Sequence, residues 1–303
     1  MRRNPFGTGH IGTTAPLLRI CQTALLALLL SACSRIQLAY NNLDWLLPHY
    51  LGSYMPLSDD QDGLLEARVE NFLHWHCSTQ VSGYAQLLRE ADNRFRSGSL
   101  TRTELESFNN RIQQAWTGIL QQGGPAIAEI LLTADDTQVR ELFEGFDKRN
   151  KEWLEDFEDT SDEELREDYR ERMGKELQRW FGKLNSGQEQ VLVSWSRQFQ
   201  PLGLEGLAVR QRWQSRLREI MDRRENPEAF QRDIAELMSN PGALRTPAYQ
   251  QRINHNREAT IDMLYSVIRQ LSDVQKHHLQ QQVNTVAGDF DKLTCSGEAV
   301  AAS

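Results

Sequence analysis

The sequence predicts an all-α fold, an elongated bundle of about ten helices with no sheet. Three observations lead there. Apolar residues recur at spacings of three and four along nearly the whole chain beyond residue 57. No window alternates apolar and polar residues with enrichment in Val, Ile and Thr, the pattern of a half-buried strand. Glycine and proline fall between the periodic segments, where they end helices.

A leader comes first. Arg2, Arg3 and Arg19 precede an eleven-residue apolar run from Ile20 to Leu30. A membrane-spanning helix needs about 20 apolar residues, so residues 1–32 read as an export signal. Leu30-Ser31-Ala32-Cys33 resembles the lipobox of exported bacterial lipoproteins. That resemblance implies cleavage before Cys33, a diacylglycerol on its thiol and acylation of the new amino terminus. One fatty chain attaches a protein only marginally, whereas several hold it permanently. Ser34 stands where Asp commonly retains such proteins at the inner membrane, which points to the periplasmic face of the outer membrane. Gly7, Gly9 and Gly12 spell a dinucleotide fingerprint, but they sit in the leader and follow no strand.

Residues 33–56 read as the lipidated Cys with an aromatic-rich tether, containing a first helix over 35–46. Tyr40, Trp45, Tyr50 and Tyr54 either sit at the headgroup level or pack on the bundle. Residues 57–303 read as the helical bundle domain. Its first helix, 59–96, carries the stripe Leu65, Val69, Phe72 and His76, then Val81, Tyr84, Leu88, Ala91 and Phe95. Gly123-Gly124-Pro125 divides the next two, 101–121 and 125–132. The helices 136–158 and 162–184 follow, striped through Leu142, Phe146 and Asn150 and through Tyr169, Leu177 and Trp180. The remainder are 186–199, 206–224, 227–239, 247–270 and 272–294. Capping boxes open several of them: Ser58 with Gln61, Thr101 with Glu104, Ser161 with Glu164, Asn185 with Gln188, and Ser272 with Gln275. Leu57, Leu100, Leu184 and Leu271 are placed to act as staples.

The 303 residues carry a net charge of −8. Cleavage before Cys33 leaves 271 residues with 31 basic against 42 acidic side chains, a net of −11. Such a surface repels phosphate backbones and anionic headgroups, so nucleic acid is excluded as a partner and the membrane must be reached through lipid. Cys77 and Cys295 remain once Cys21 leaves and Cys33 is acylated. An even pair in an oxidising compartment is expected to form a disulfide, here closing a loop of 218 residues. Separate thiols, or metal ligation with His74, His76, His277 and His278, stay open as alternatives. His74 and His76 diverge by about 200° on one helix and cannot chelate together. Arg212, Trp213 and Arg216 form a candidate groove for an acidic ligand, unless they are ordinary paired or solvated charge. Metalloprotease, nucleophile-elbow, phosphate-loop and calcium-loop motifs are missing. The reading is therefore of a protein that is not an enzyme and holds no cofactor or metal.

A family resemblance adds to this. Leu38-Ala39-Tyr40-Asn41-Asn42-Leu43-Asp44-Trp45-Leu46-Leu47, Tyr50, Tyr54 and Leu57-Ser58-Asp59-Asp60-Gln61 open the match. Trp75-His76, Tyr84-Ala85, Leu87-Leu88-Arg89, the segment 150–157 and Arg212-Trp213-Gln214 continue it. Together they resemble a proteobacterial predicted-lipoprotein family catalogued as domain of unknown function 6279. Gln80-Val81-Ser82-Gly83 departs from that family's acidic-Leu-Pro triplet. The phrases at helix starts are also similar, more weakly, to Spy/CpxP-type periplasmic helical proteins. The resemblance implies an envelope lipoprotein with no catalytic residues to carry over. The expected function is a non-catalytic interaction or structural role facing the periplasm, with an envelope protein or peptide as partner. The alternative is a holdase-like periplasmic chaperone for unfolded or acidic peptide clients, which requires an exposed apolar groove.

Overall fold

Helix starts are set by side chains that satisfy the first free amide hydrogens, and each such cap contributes about 1 kcal/mol. In the computed structural model, which describes Ile36, Tyr40 and residues 42–158 and 160–293 (the side chains of Asp156 and Glu158 aside), all five expected capping boxes are formed. They open α2 (Asp59–His76), α4 (Arg102–Leu132), α6 (Asp162–Phe181), α7 (Ser186–Gln198) and α11 (Asp273–Asp291). Around them lie α1 (Leu43–Gly52), α3 (Ser82–Arg96), α5 (Asp136–Glu158), α8 (Gly203–Met221), α9 (Pro227–Ser239) and α10 (Pro247–Ile268). The described residues contain no strand, and the chain is an all-α multi-helix bundle.

Three elements differ from the sequence reading. The expected helix 59–96 widens into a π-turn at Cys77–Val81 between α2 and α3. A widened turn frees carbonyls, and hydroxyls take them up: Ser78 Oγ donates to the His74 oxygen at 2.7 Å and Thr79 Oγ1 to the Trp75 oxygen at 2.7 Å. Gly123-Gly124-Pro125 does not break a helix, because α4 runs straight through it. Its role is close approach: a Cβ on Gly124 would lie 3.5 Å from Met238 Cβ and 3.7 Å from the Ala235 backbone. Packing of α4 on α9 holds the helix together where Pro125 removes a hydrogen bond. Of the expected helix 35–46, Ile36 and Tyr40 are helical and residues 35, 37–39 and 41 lie outside the described residues; α1 runs beyond its expected end, through Pro48 to Gly52.

The buried side chains form two apolar clusters. One joins Leu65, Val69 and Leu73 of α2 to Ala128 of α4, Phe143 of α5, Ile220 and Met221 of α8, and Phe230 and Ile234 of α9. The other joins Leu177 and Phe181 of α6, Leu192 and Trp195 of α7, and Met263 and Val267 of α10. Arg102 at the start of α4 bridges the two bodies, donating to Asp262 at 2.7 Å and pairing with Glu258 of α10. The second bridge is α3 on α11, closed by Arg89 with Asp291.

Each cluster carries a clasp made from capping residues. Gln188 Nε2 donates to Gln275 Oε1 at 3.2 Å, and Gln275 Nε2 returns a bond to Gln188 Oε1 at 2.8 Å. Gln61 and Gln138 repeat the exchange at 3.1 and 2.6 Å. Gln138 itself belongs to a reciprocal cap with Asp135 at the start of α5, which the sequence reading passed over.

Candidate functional site

α3 lies along α11, whereas its hairpin partner α4 packs against α9 and α2. The two arms of the hairpin therefore splay and leave a groove of about 720 Å³ between α3, α4 and α11. That volume falls within the range of about 300–1,000 Å³ typical of ligand pockets. Tyr84, Leu88, Trp116, Ile119, Phe290 and Trp180 are among its apolar walls. Ile112 and Trp116, one turn apart on α4, are each 56% exposed, a large solvent contact for an apolar pair. Arg111 on α4 spans to Glu90 on α3 at 2.6 Å across the rim.

The groove floor is an aromatic knot around His76, beside the π-turn. Tyr40 donates its hydroxyl to the Leu73 carbonyl at 3.0 Å, so its oxygen accepts from His76 Nδ1–H at 3.2 Å. In the neutral imidazole His76 Nε2 is then the unprotonated nitrogen and accepts from the Tyr84 hydroxyl at 3.1 Å. This arrangement accommodates the neutral imidazole. Burial lowers the His76 pKa from its ordinary value. Burial, with Tyr84 alongside, pushes Tyr40 up to about 12.

This gives a pH prediction with a definite sign. The unfolded imidazole takes up its proton more readily than the folded one, so stability is fully present above about pH 6.5 and is lost as pH falls through the lower folded value. Urea titrations of wild type between pH 7.5 and 5 should show this decline, and His76→Phe should remove its share of the slope. An unchanged slope in the variant would show that the knot tolerates the imidazolium.

The residues singled out from sequence are placed as follows. Cys33 and Cys295 lie outside the described residues. Cys77 is buried in the π-turn directly after His76. Arg212, Trp213 and Arg216 lie on α8, where Trp213 packs on the first cluster, and none of the three lines the groove. Trp213 turns inward onto Phe146 with ring centroids 6.4 Å apart. Arg212 donates to the Leu244 carbonyl at 2.8 Å, and Arg216 pairs with Glu219 at 2.8 Å. The histidines are not brought together: His278 meets the Arg179 carbonyl at 3.1 Å, and His277 meets Gln281 at 3.0 Å. The described residues contain no group of three or more potential metal ligands. No helix among them is long and apolar enough to cross a membrane. Trp116 was the missed residue. Its signal was a second apolar side chain one turn beyond Ile112, widening a stripe that α4 has no neighbour to cover.

Fold and groove together define a helical bundle protein with an aromatic-lined surface cleft. The chain belongs to a family of unknown function, DUF6279, whose family model matches residues 53–250. Neither a curated protein nor a solved structure gives a match.

Proposed function

We propose that the protein is a lipid-anchored envelope protein of the outer membrane, facing the periplasm, that binds a partner polypeptide and performs no catalysis. The observation that carries the binding role is the groove with Ile112 and Trp116 half exposed on its edge. His76 on its floor has burial as the cause of its shift and no carboxylate partner among the described residues, which favours a hydrogen-bonding role over proton transfer. Two features support attachment close to the membrane. Tyr40 is tied to α2 only seven residues after Cys33, a reach of at most about 25 Å. Trp45 and Tyr50 on α1 are exposed, as interfacial aromatics are.

The reading includes a Cys77–Cys295 disulfide. Cys77 carries a bonded rather than a free sulfur. Phe290 packs on Tyr84 with centroids 5.8 Å apart, and Tyr84 bonds His76, which leaves five residues of chain to bring Cys295 across. Closing so long a loop contributes up to about 5 kcal/mol.

A photoreactive amino acid at position 116, activated in intact cells, should capture an envelope protein, and the double variant Ile112→Glu, Trp116→Glu should abolish recovery of that protein by affinity capture. Full recovery from the variant would overturn the groove's role. Cys33→Ala should lose palmitate labelling, and retained labelling would overturn the anchor. The groove lining, with Arg111 and His76 as its only ionisable groups apart from Tyr84, also favours a second reading as a holdase with loose selectivity. In that case the unlipidated protein slows aggregation of a denatured client at near-equimolar amounts.

A further inference from the structure

A second cavity lies inside the first cluster, beneath α1 and remote from the groove. It holds about 260 Å³ and is lined by Tyr50, Leu51 and Tyr54 of the α1 segment together with Leu65, Leu142, Phe146, Trp213 and Met238 among others. It is open on one side, a cleft that reaches from the surface into the cluster. Its lining is apolar apart from the two tyrosine hydroxyls and the Trp213 indole, and a dry apolar cavity of about 150 Å³ already binds benzene. By proportion, this one accommodates a chain of roughly ten carbons.

The way in is chemically marked. Tyr50 is the exposed member of the lining, so the cavity reaches the surface there. Tyr50 and Tyr54 share a hydrogen bond at 2.9 Å between their hydroxyls. The Arg149 guanidinium lies 4.0 Å from the Tyr54 ring centroid and donates to Ser53 Oγ at 3.1 Å. Arg210 lies over the Trp153 ring, and its charge also reaches the Tyr54 hydroxyl. No carboxylate among the described residues pairs with either guanidinium. Two cations therefore stand beside Tyr54 at the edge of the apolar cavity, where an anionic headgroup would meet them.

We propose that this cavity is a binding site for a single-chain anionic amphiphile, a medium-chain carboxylate whose hydrocarbon fills the space under α1 and whose headgroup meets Arg149, Arg210 and the Tyr50–Tyr54 hydroxyls. Charge-assisted bonds to a planar carboxylate are what guanidinium groups form best. The site is independent of the groove and of the anchor, since the diacylglyceryl group expected on Cys33 carries no anion.

The test uses the full-length protein in its own envelopes and a ten-carbon carboxylate bearing a diazirine at its far end. After irradiation, the label should fall on cavity residues such as Met55, Leu142 and Met238. Excess decanoate should displace it, and decyltrimethylammonium should compete at least tenfold less well. In the double variant Arg149→Gln, Arg210→Gln, labelling at those residues should drop about tenfold. Label on Trp116 or Phe290, or spread over the surface, would overturn the proposal. So would failure of decanoate to compete, or equal competition by the cation. The comparison of the two competitors needs no substitution and decides the matter even if the double variant misfolds.

Discussion

Gln188→Ala lowers the free energy of unfolding by about 1–3 kcal/mol, a large effect for a single polar substitution. Gln188 is completely buried. Its Oε1 accepts the Asn185 amide at 3.0 Å, and its Nε2 donates to the Val267 carbonyl at 3.4 Å as well as to Gln275. Truncation therefore orphans the helix-start amide of Asn185, whereas the Val267 carbonyl keeps the Gln270 amide at 3.0 Å and the Gln275 side chain keeps the Ser272 amide and the Lys183 carbonyl, each at 3.0 Å. Each orphaned buried group costs about 1–3 kcal/mol. Gln275→Ala removes much of the same network, so the double variant should cost less than the sum of the singles by about 1–3 kcal/mol. Urea unfolding followed by circular dichroism measures all three. A single cost under about 1 kcal/mol, or strict additivity, would mean that the clasp contributes geometry without energy. The corresponding change at Gln138, whose side chain is only half-buried, should cost less.

Phe230→Ala is the second large effect, about 3–5 kcal/mol. The ring is 2% exposed and sits on α9 among Met221, Ile220 and Ile234, each 2% exposed or less. Neighbours packed to that degree cannot collapse into the space, which is the condition for the upper end of the range. Phe230→Leu keeps most of the volume and should cost less than about 1.5 kcal/mol. Hydrogen exchange should show the loss concentrated in α4, α8 and α9, with α6, α7 and α10 less affected. Uniform loss over both clusters would show that the Arg102 and α3–α11 bridges couple them into one cooperative unit.

The fold class and most helix starts were legible in the sequence because both are local. A Ser, Thr or Asn three residues before Gln or Glu is a complete physical instruction, and all five predicted boxes formed. The π-turn was half legible: the stripe steps by three or four through His76, then by five to Val81. What the sequence could not convey was tertiary. Gly124 reads as a breaker until Met238 is seen 3.5 Å from where its Cβ would stand. That Trp213 stands beside Phe146 is a contact 67 residues apart in the chain, which no local pattern conveys. Trp116 gains its meaning only from the way α4 turns away from α3 to pack on α9 and α2. The inner cavity has no sequence signature, because a void is defined by what surrounding helices fail to fill.

The extra residue in the π-turn has a further consequence. An α-helix turns about 100° per residue, so the insertion rotates everything beyond it by that amount. α2 thereby aims Leu65, Val69 and Leu73 at the first cluster, while α3, on the same axis, presents Phe95 to the second. A single rod thus serves as a shared axle between two hubs, with its phase set at Cys77–Val81. Length changes within those five residues would misalign the hubs even with every contact residue retained, which makes this the stretch of the rod least tolerant of insertion or deletion.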